Sequence, residues 1–453
     1  MQKYVVMKLK KNKNNLKKGF FIYPLGGHQE WGRNCTAIRV DNSFVVLDMG
    51  IKFCDGPITA KIPPMRKIKK LMLKYNWVGT IISHAHADHF GAISECKKYF
   101  GSKFPMVYGS PVTCNIINKL QKIPLSKLQP VRANKQVVIG DIKFSLWPMQ
   151  HSVPETRAII IESEYGKFGY MTDFKVDYTP VLGAPSCFKG LKNSDILMVD
   201  VTRVSDKITH SEGVAVAKLK DILKRGQLHY KKLICSTYPS QWARLLTIAQ
   251  FAHNNNMGYW VVGKTYKIMY RLMFQMDDPA TGKPYISEKL YKHIKFINLV
   301  ELSQLSDRSE IFLMSGHQRM QQSALIKIFR QRVKFKIRAE DMIIFASTEI
   351  RDIYRQPTSS KLKYLRAKSK IGFVGISGQH VSGHAGVLGH EIAIKSTMPR
   401  HIIPTHTSIE NYGAYAEIAK KFNYNYGKNL TFMVDAQYYQ YDAKKNNFTA
   451  HNW

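Results

Sequence analysis

Ser83-His84-Ala85-His86-Ala87-Asp88-His89-Phe90-Gly91 sets three imidazoles and one carboxylate within six consecutive positions. Alternate residues of an extended segment point the same way, so His84 and His86 present together. Asp88 and His89 lie past a turn, where they can face a second ion a few ångströms away. Imidazole with carboxylate is a donor set for Zn²⁺ or Mn²⁺ and not for Ca²⁺ or Mg²⁺. The bland alternative is a solvated, histidine-rich loop.

Four residues cannot hold two ions, so further donors must come from elsewhere. His151 in Met149-Gln150-His151-Ser152-Val153-Pro154 follows a strand-like run, as do Asp173 in Tyr170-Met171-Thr172-Asp173-Phe174 and His406 in Ile402-Ile403-Pro404-Thr405-His406. Any one alone would more readily be a packed or surface residue. Together, in chain order behind the histidine cluster, they supply what a binuclear site lacks. The expected pairing is His84, His86 and His151 on one ion, Asp88, His89 and His406 on the other, and Asp173 bridging. A water held between two such ions loses a proton near neutral pH and becomes a nucleophile, and the adjacent cations neutralise charge on a phosphodiester under attack.

Working outward, strands are expected at 45–48, 79–83, 143–146, 158–161 and 195–200. Several end in a polar residue at the carboxyl edge, where α/β layers place their chemistry. From about residue 205 the pattern changes to helices at 213–225 and 241–254 alternating with single strands at 232–235, 259–262, 311–314 and 342–345, a parallel α/β unit. Two more strands, 371–374 and 401–404, each lead into a histidine-bearing loop. This reads as one domain interrupted by another.

The 453 residues are long enough for two or three domains, and 44% apolar content excludes a disordered linker protein. A net charge of +36 works against the compact state and points to a polyanionic partner, nucleic acid before an anionic membrane surface. Lysines and arginines crowd at 61–74, 327–338 and 351–370, with Phe335, Tyr354 and Tyr364 interleaved as candidates for stacking on bases or for core packing. No apolar run is long enough to span a bilayer, and the basic start of the chain has no apolar segment of a secretory signal behind it. Six cysteines without Cys-x-x-Cys spacing fit reduced thiols, so a cytoplasmic location is expected.

The histidine cluster and the residues behind it resemble the metallo-β-lactamase fold, and the rest narrows the resemblance to the ribonuclease J family of β-CASP nucleases. Leu25-Gly26-Gly27-His28-Gln29-Glu30-Trp31-Gly32-Arg33-Asn34 is similar to that family's glycine-rich opening, and 45–53 to its next strand and turn. His151-Ser152-Val153-Pro154, Asp173-Phe174-Lys175-Val176-Asp177 and His380-Val381-Ser382-Gly383-His384-Ala385 resemble further family segments. The similarity runs from about residue 22 to 435. It implies an α/β fold, an αββα metallo-β-lactamase sandwich with an inserted β-CASP α/β domain. The layout would be a basic N-terminal segment at 1–20, the first part of the sandwich at 21–205, the insert at 206–370 and the return segment at 371–453.

The resemblance also implies roles. Asp200 would be the β-CASP acid, and His384 the histidine near the scissile phosphate; with Asp88 they form the expected catalytic group. Asp48 would orient the metal loop from behind. Ser347, Thr348, His380, Ser382, Gly383 and His384 would hold an RNA 5′-monophosphate. The implied activity is hydrolysis of RNA by a two-metal-activated hydroxide, with two Zn²⁺ per chain or Mn²⁺ in their place. It would run 5′→3′ from monophosphate ends, with some internal cutting, in RNA processing and decay. The alternatives are an endonuclease acting on RNA or DNA, and a non-catalytic RNA-binding subunit. Single-stranded RNA is the expected partner, a ribosome or other RNA-decay factors would suit the excess charge, and no membrane is expected. Departures fall mainly around the 5′-end pocket: Gln29 replaces a glycine, Ser315-Gly316-His317-Gln318-Arg319-Met320 lacks the family's acid, and Ser347-Thr348-Glu349 lacks its proline. The chain stops at Trp453, so the further C-terminal domain of bacterial members, and dimerisation through it, is not expected; other surfaces leave a homodimer open.

Overall fold

The strand Ser43–Leu47 alternates Phe44 and Val46 with Val45 and Leu47, and all four are fully buried. A strand apolar on both faces must lie between two layers. A computed structural model describes residues 17–54, 60–183, 185–207, 211–305, 309–316, 322–347, 372–375 and 383–453, and shows those layers. Among the described residues, one sheet runs in the order Asn447–Asn452, Gln437–Asp442, Phe20–Gly26, Cys35–Val40, Ser43–Leu47, Asn76–Ile81, Val107–Gly109, Leu128–Pro130. The second runs His401–Thr405, Ile196–Asp200, Gly166–Met171, Arg157–Ser163, Ile142–Pro148, Gln136–Ile139. Ile22, Ile38, Val45 and Leu47 of the first sheet meet Phe144, Leu146, Ile159, Ile161 and Met198 of the second in one apolar core.

The opposite faces carry helices. Phe21, Ala37, Phe44 and Val46 pack against Met65, Ile68 and Leu71 of the helix Met65–Lys74 and Ile93 and Cys96 of the helix Ile93–Phe100. Ile160, Leu197, Val199 and Ile402 pack against Ala393 and Ile394 of the helix Val387–Thr397 and Tyr415 and Ile418 of Glu410–Lys420. This is the expected αββα sandwich. Pro404 sits in a strand that pairs on one side with Ile196–Asp200 at the end of its sheet, where a missing N–H is tolerated.

A third, parallel sheet runs Ile294–Ile297, Tyr259–Val262, Ile311–Met314, Leu233–Ser236, Met342–Phe345, Gly372–Gly375. Its last strand lies past residue 370, where sequence reading places the end of the insert. The helices Glu212–His229, Trp242–Asn254 and Lys264–Gln275 cover it, and its core is continuous with that of the first sheet's helices. Of the two readings open for Phe335, core packing holds: it is buried, its ring 5.1 Å from that of Phe312. Tyr354, Tyr364 and the basic run at 351–370 lie outside the described residues. All six cysteines are free thiols, and no described helix is long and apolar enough to cross a membrane.

Candidate metal centre

Parallel pairing brings the chemistry to one edge. Leu47 pairs with Ile81, Met171 with Val199, and Asp200 with Thr405, so Asp48, Ser83, Asp173, Asp200 and His406 all emerge at the carboxyl ends of neighbouring strands. A bridge between Gln150 and Lys175 draws His151 to Asp173.

The donors converge as two sets. His86 Nδ1 lies 3.1 Å from His84 Nε2 and 3.0 Å from His151 Nε2, and Asp173 Oδ2 lies 3.4 Å and 3.3 Å from those Nε2 atoms. The other oxygen of Asp173, Oδ1, lies 3.1 Å from His89 Nε2. His406 Nε2 is 3.1 Å from Asp88 Oδ2, which is 3.7 Å from His89 Nε2. Within each set the donor atoms are all within 4.8 Å of one another. All seven expected ligands are therefore together, and the carboxylate expected to bridge offers one oxygen to each set.

Whether the residues fit metal ions is decided by what holds the far side of each ring, because a ligating nitrogen must be free of its proton. Asp48 is fully buried and accepts from Ser83 N–H at 2.8 Å, Ser83 Oγ at 2.9 Å, His89 Nδ1 at 2.8 Å and the Tyr170 hydroxyl at 3.2 Å. Ser83 Oγ, having donated to Asp48, accepts from His84 Nδ1 at 3.1 Å. One carboxylate thus directs Nε2 of both His84 and His89 at the cluster. His151 Nδ1 donates to the carbonyl of Gly383 at 2.5 Å, leaving Nε2 free. Ser240 Oγ and Ser152 Oγ lie 3.2 Å and 3.3 Å from His86 Nε2, leaving Nδ1 free. The donor set fits two divalent cations.

Electrostatics separates the sets. Burial lowers the imidazoles of His84 and His151 and brings His86 down to about 3, so these rings are neutral donors. Burial opposes charge on His89 too, but Asp173, Asp88 and Asp48 outweigh it and raise it to about 10. His406 is raised by the carboxylates of Asp173, Asp200 and Asp88 against the same burial. Against their own burial, Asp88 is lowered chiefly by His89, and Asp173 chiefly by His89 and His406.

His384 stands over the cluster. Its Nδ1 lies 2.7 Å from Asp200 Oδ2, and its Nε2 lies 3.8 Å from Asp173 Oδ2. Its side chain is 20% exposed while Asp200 is buried, so the ring is accessible and its partner is not. Burial disfavours the imidazolium, but Asp200 and Asp173 raise the ring above its ordinary value. Asp200 Oδ1 accepts from Thr202 N–H at 2.8 Å and lies 3.5 Å from His406 Nδ1, so one buried carboxylate braces both histidines.

Of the expected 5′-phosphate residues, Gly383 and His384 border the cluster, and a Cβ on Gly383 would meet His151 Cε1 at 2.4 Å. Ser347 is buried, its hydroxyl 2.5 Å from both Thr237 Oγ1 and Gln241 Oε1. Thr348, His380 and Ser382 lie outside the described residues. Sequence reading passed over Ser83, Tyr170, Ser240 and Arg244. Ser240 alone left a signal, a polar loop directly after the strand Leu233–Ser236 at the carboxyl edge of a parallel sheet.

Comparison with known proteins agrees with this architecture. Residues 63–228 match the model of the β-lactamase superfamily domain. The chain is 24% identical over 449 residues to ribonuclease J of Methanocaldococcus jannaschii, covering 92% of this chain and 97% of that one. It is 26% identical over 450 residues to ribonuclease J of Pyrococcus abyssi, covering 90% and 94%. Against ribonuclease J of Helicobacter pylori strain B128 it is 25% identical over 422 residues, 90% of this chain but 58% of the other. A crystal structure of a protein of unknown function from Enterococcus faecalis V583 superposes with a TM-score of 0.60 at 15% identity, over 93% of this chain and 99% of that one; it bears on the fold alone.

Proposed function

This chain is a metallo-β-lactamase-fold relative of ribonuclease J, and from that premise we propose that it is a metal-dependent ribonuclease hydrolysing RNA phosphodiester bonds. One observation carries the reading: Asp173 stands in the first donor set and reaches His89 of the second at 3.1 Å, and His384, braced by Asp200, stands accessible above them. Divalent cations held by those sets, zinc before manganese, would lower the pKa of water towards neutrality and would neutralise charge on the phosphodiester.

The chain's own residues do the rest. Asp48, Ser83, Ser240 and the Gly383 carbonyl hold the ligand rings in one tautomer. His384, whose imidazolium form Asp200 favours, donates from Nε2 to a phosphoryl oxygen or to the leaving 3′-oxygen, a role suited to imidazole. Asp88 joins it in the catalytic group as a ligand of the second set. The net charge of +36 supports a single-stranded RNA partner, and the helix Met65–Lys74 adds exposed Arg66, Lys69, Lys70 and Lys74.

We assign residues 206–370, with the strand Gly372–Gly375 that completes their sheet, to a β-CASP insert, and the 5′-monophosphate pocket to Ser347, Thr348, His380, Ser382, Gly383 and His384, so that cutting runs 5′→3′ with some internal cleavage. A second reading, an endonuclease without 5′-end recognition, is favoured by Ser347, whose hydroxyl is committed to Thr237 and Gln241. RNA bearing 5′-monophosphate, 5′-triphosphate or 5′-hydroxyl, and matching single-stranded DNA, separates the two. Mononucleotide release from 5′-monophosphate RNA, abolished by a chelator, supports the first reading. Internal fragments regardless of the 5′ group support the second. No cleavage in any metal sinks both.

A further inference from the structure

The start of the helix Trp242–Asn254 touches two places at once. Ser240 Oγ lies 3.2 Å from Nε2 of His86, whose Nδ1 belongs to the first donor set. Gln241, at the cap position, makes no side-chain cap bond; its Oε1 accepts instead from Thr237 Oγ1 at 2.8 Å and Ser347 Oγ at 2.5 Å. Arg244, one turn on, is buried at 3% exposure. Its Nη1 donates to the Ala346 carbonyl and lies 3.4 Å from Ser347 Oγ. Its Nε donates to Glu212 Oε1 at 3.0 Å and its Nη2 to Glu212 Oε2 at 3.4 Å.

Glu212 leads back to the metal strand. Its Oε2 lies 3.7 Å from Lys175 Nζ, and its backbone N–H donates to Asp177 Oδ2 at 2.8 Å. Lys175 and Asp177 are themselves paired at 3.1 Å, both buried, two and four residues beyond the bridging Asp173. Ser347 therefore connects to the metal cluster by two routes, through Ser240 to His86 and through Arg244, Glu212 and Lys175 to the Asp173 segment. A buried guanidinium with carboxylate on one side and a carbonyl on the other is costly to misplace, because either partner left alone is an uncompensated buried group. Such an element has few alternative positions.

We propose that the 240–244 turn couples the metal centre to Ser347 at the end of the strand Met342–Phe345, with Ser240 and Arg244 as positioning residues. An ion seated on His86 would fix Ser240 and, through the same turn, Ser347 at the end of the strand Met342–Phe345. The role in 5′-end selection rests on the reading above; the coupling itself does not.

Amide exchange across 342–347, measured by mass spectrometry on the full chain with and without Zn²⁺, reads the coupling directly. In the unaltered protein zinc slows exchange there by about tenfold or more, a local change of a packed element. Ser240→Ala, which leaves the turn's backbone bonds in place, and Arg244→Met both abolish that slowing, and Arg244→Lys restores part of it. Equal slowing in the Ser240→Ala and Arg244→Met variants, or none in the unaltered protein with zinc shown bound by metal analysis, overturns the proposal. In kinetics, Arg244→Met raises KM for 5′-monophosphate RNA about tenfold more than for 5′-hydroxyl RNA, with a smaller change in kcat. If the unaltered protein ignores the 5′ group while the exchange result holds, the 5′-end reading fails and the coupling stands.

Discussion

Gly50→Ala isolates the contact that holds the histidine loop. A Cβ at Gly50 would stand 1.6 Å from the carbonyl oxygen of Asp88 and 2.8 Å from the backbone nitrogen of His89. Ordinary contact begins near 3.4 Å, so the loop must withdraw by about 1.8 Å. The backbone has no slack to give, because Met49 N–H donates to the His89 carbonyl at 2.6 Å and Gly50 N–H to the Asn34 carbonyl at 3.0 Å. Metal–ligand distances tolerate only about 0.2 Å. The expected result is a loss of about 100-fold or more in affinity at the Asp88, His89 and His406 set, roughly 2.7 kcal/mol, and a similar loss in RNA cleavage. Overpacking should also cost about 1–3 kcal/mol of fold stability. Gly413→Ala is the control, because a Cβ there meets nothing within 4 Å and the site lies in the helix Glu410–Lys420. Metal content, chelator competition, cleavage rate and thermal unfolding are the assays. A Gly50→Ala protein that keeps both ions at unaltered affinity and cleaves RNA at the original rate would refute this account of the loop.

Asp48→Asn keeps the volume but removes the charge that fixes the tautomers of His84 and His89, and should cost about 10–100-fold in metal affinity by chelator competition; an unchanged affinity would dismiss that role. Metal uptake should also depend on pH unequally. His89, protonated up to about 10, and His406, raised above its ordinary value, must each lose a proton to ligate, so affinity at their set rises with pH between about 6 and 9. His86, at about 3, is already neutral there, and its set should load without that dependence; zinc titration in a pH-indicator buffer would expose identical behaviour if this is wrong. Finally, burial pushes the Cys114 and Cys235 thiols up to about 12 and raises Cys35 and Cys96, whereas Cys54 and Cys187 are half-buried. Maleimide at pH 7.5 should label the last two in the native protein and all six after denaturation, and fast labelling of the other four would contradict the packing.

The residues' own pattern indicated the parallel third sheet and all seven candidate metal donors, and resemblance to a family supplied the sandwich. Strands buried on both faces write themselves as unbroken apolar runs, and the ligands each stand just past such a run, so periodicity and chemistry coincide in His84, His86, Asp88, His89, His151, Asp173 and His406. Asp48 and the pair of Asp200 with His384 were legible too, though by resemblance and not from the residues' own pattern. What only the tertiary structure decided is which neighbours those residues use. Ser83, Tyr170 and Ser240 reach the site across 35, 122 and 154 residues of chain, and one serine among many carries no mark of such a partner. Phe335 shows the same limit, since an aromatic between lysines reads alike whether it meets a base or, as here, Phe312. Arg244 carried no mark in the sequence either, and only the fold shows its guanidinium buried beside Glu212. Local sequence records what a side chain can do; the company it keeps is set by strand register and by which helices close over it, and those are properties of the whole fold.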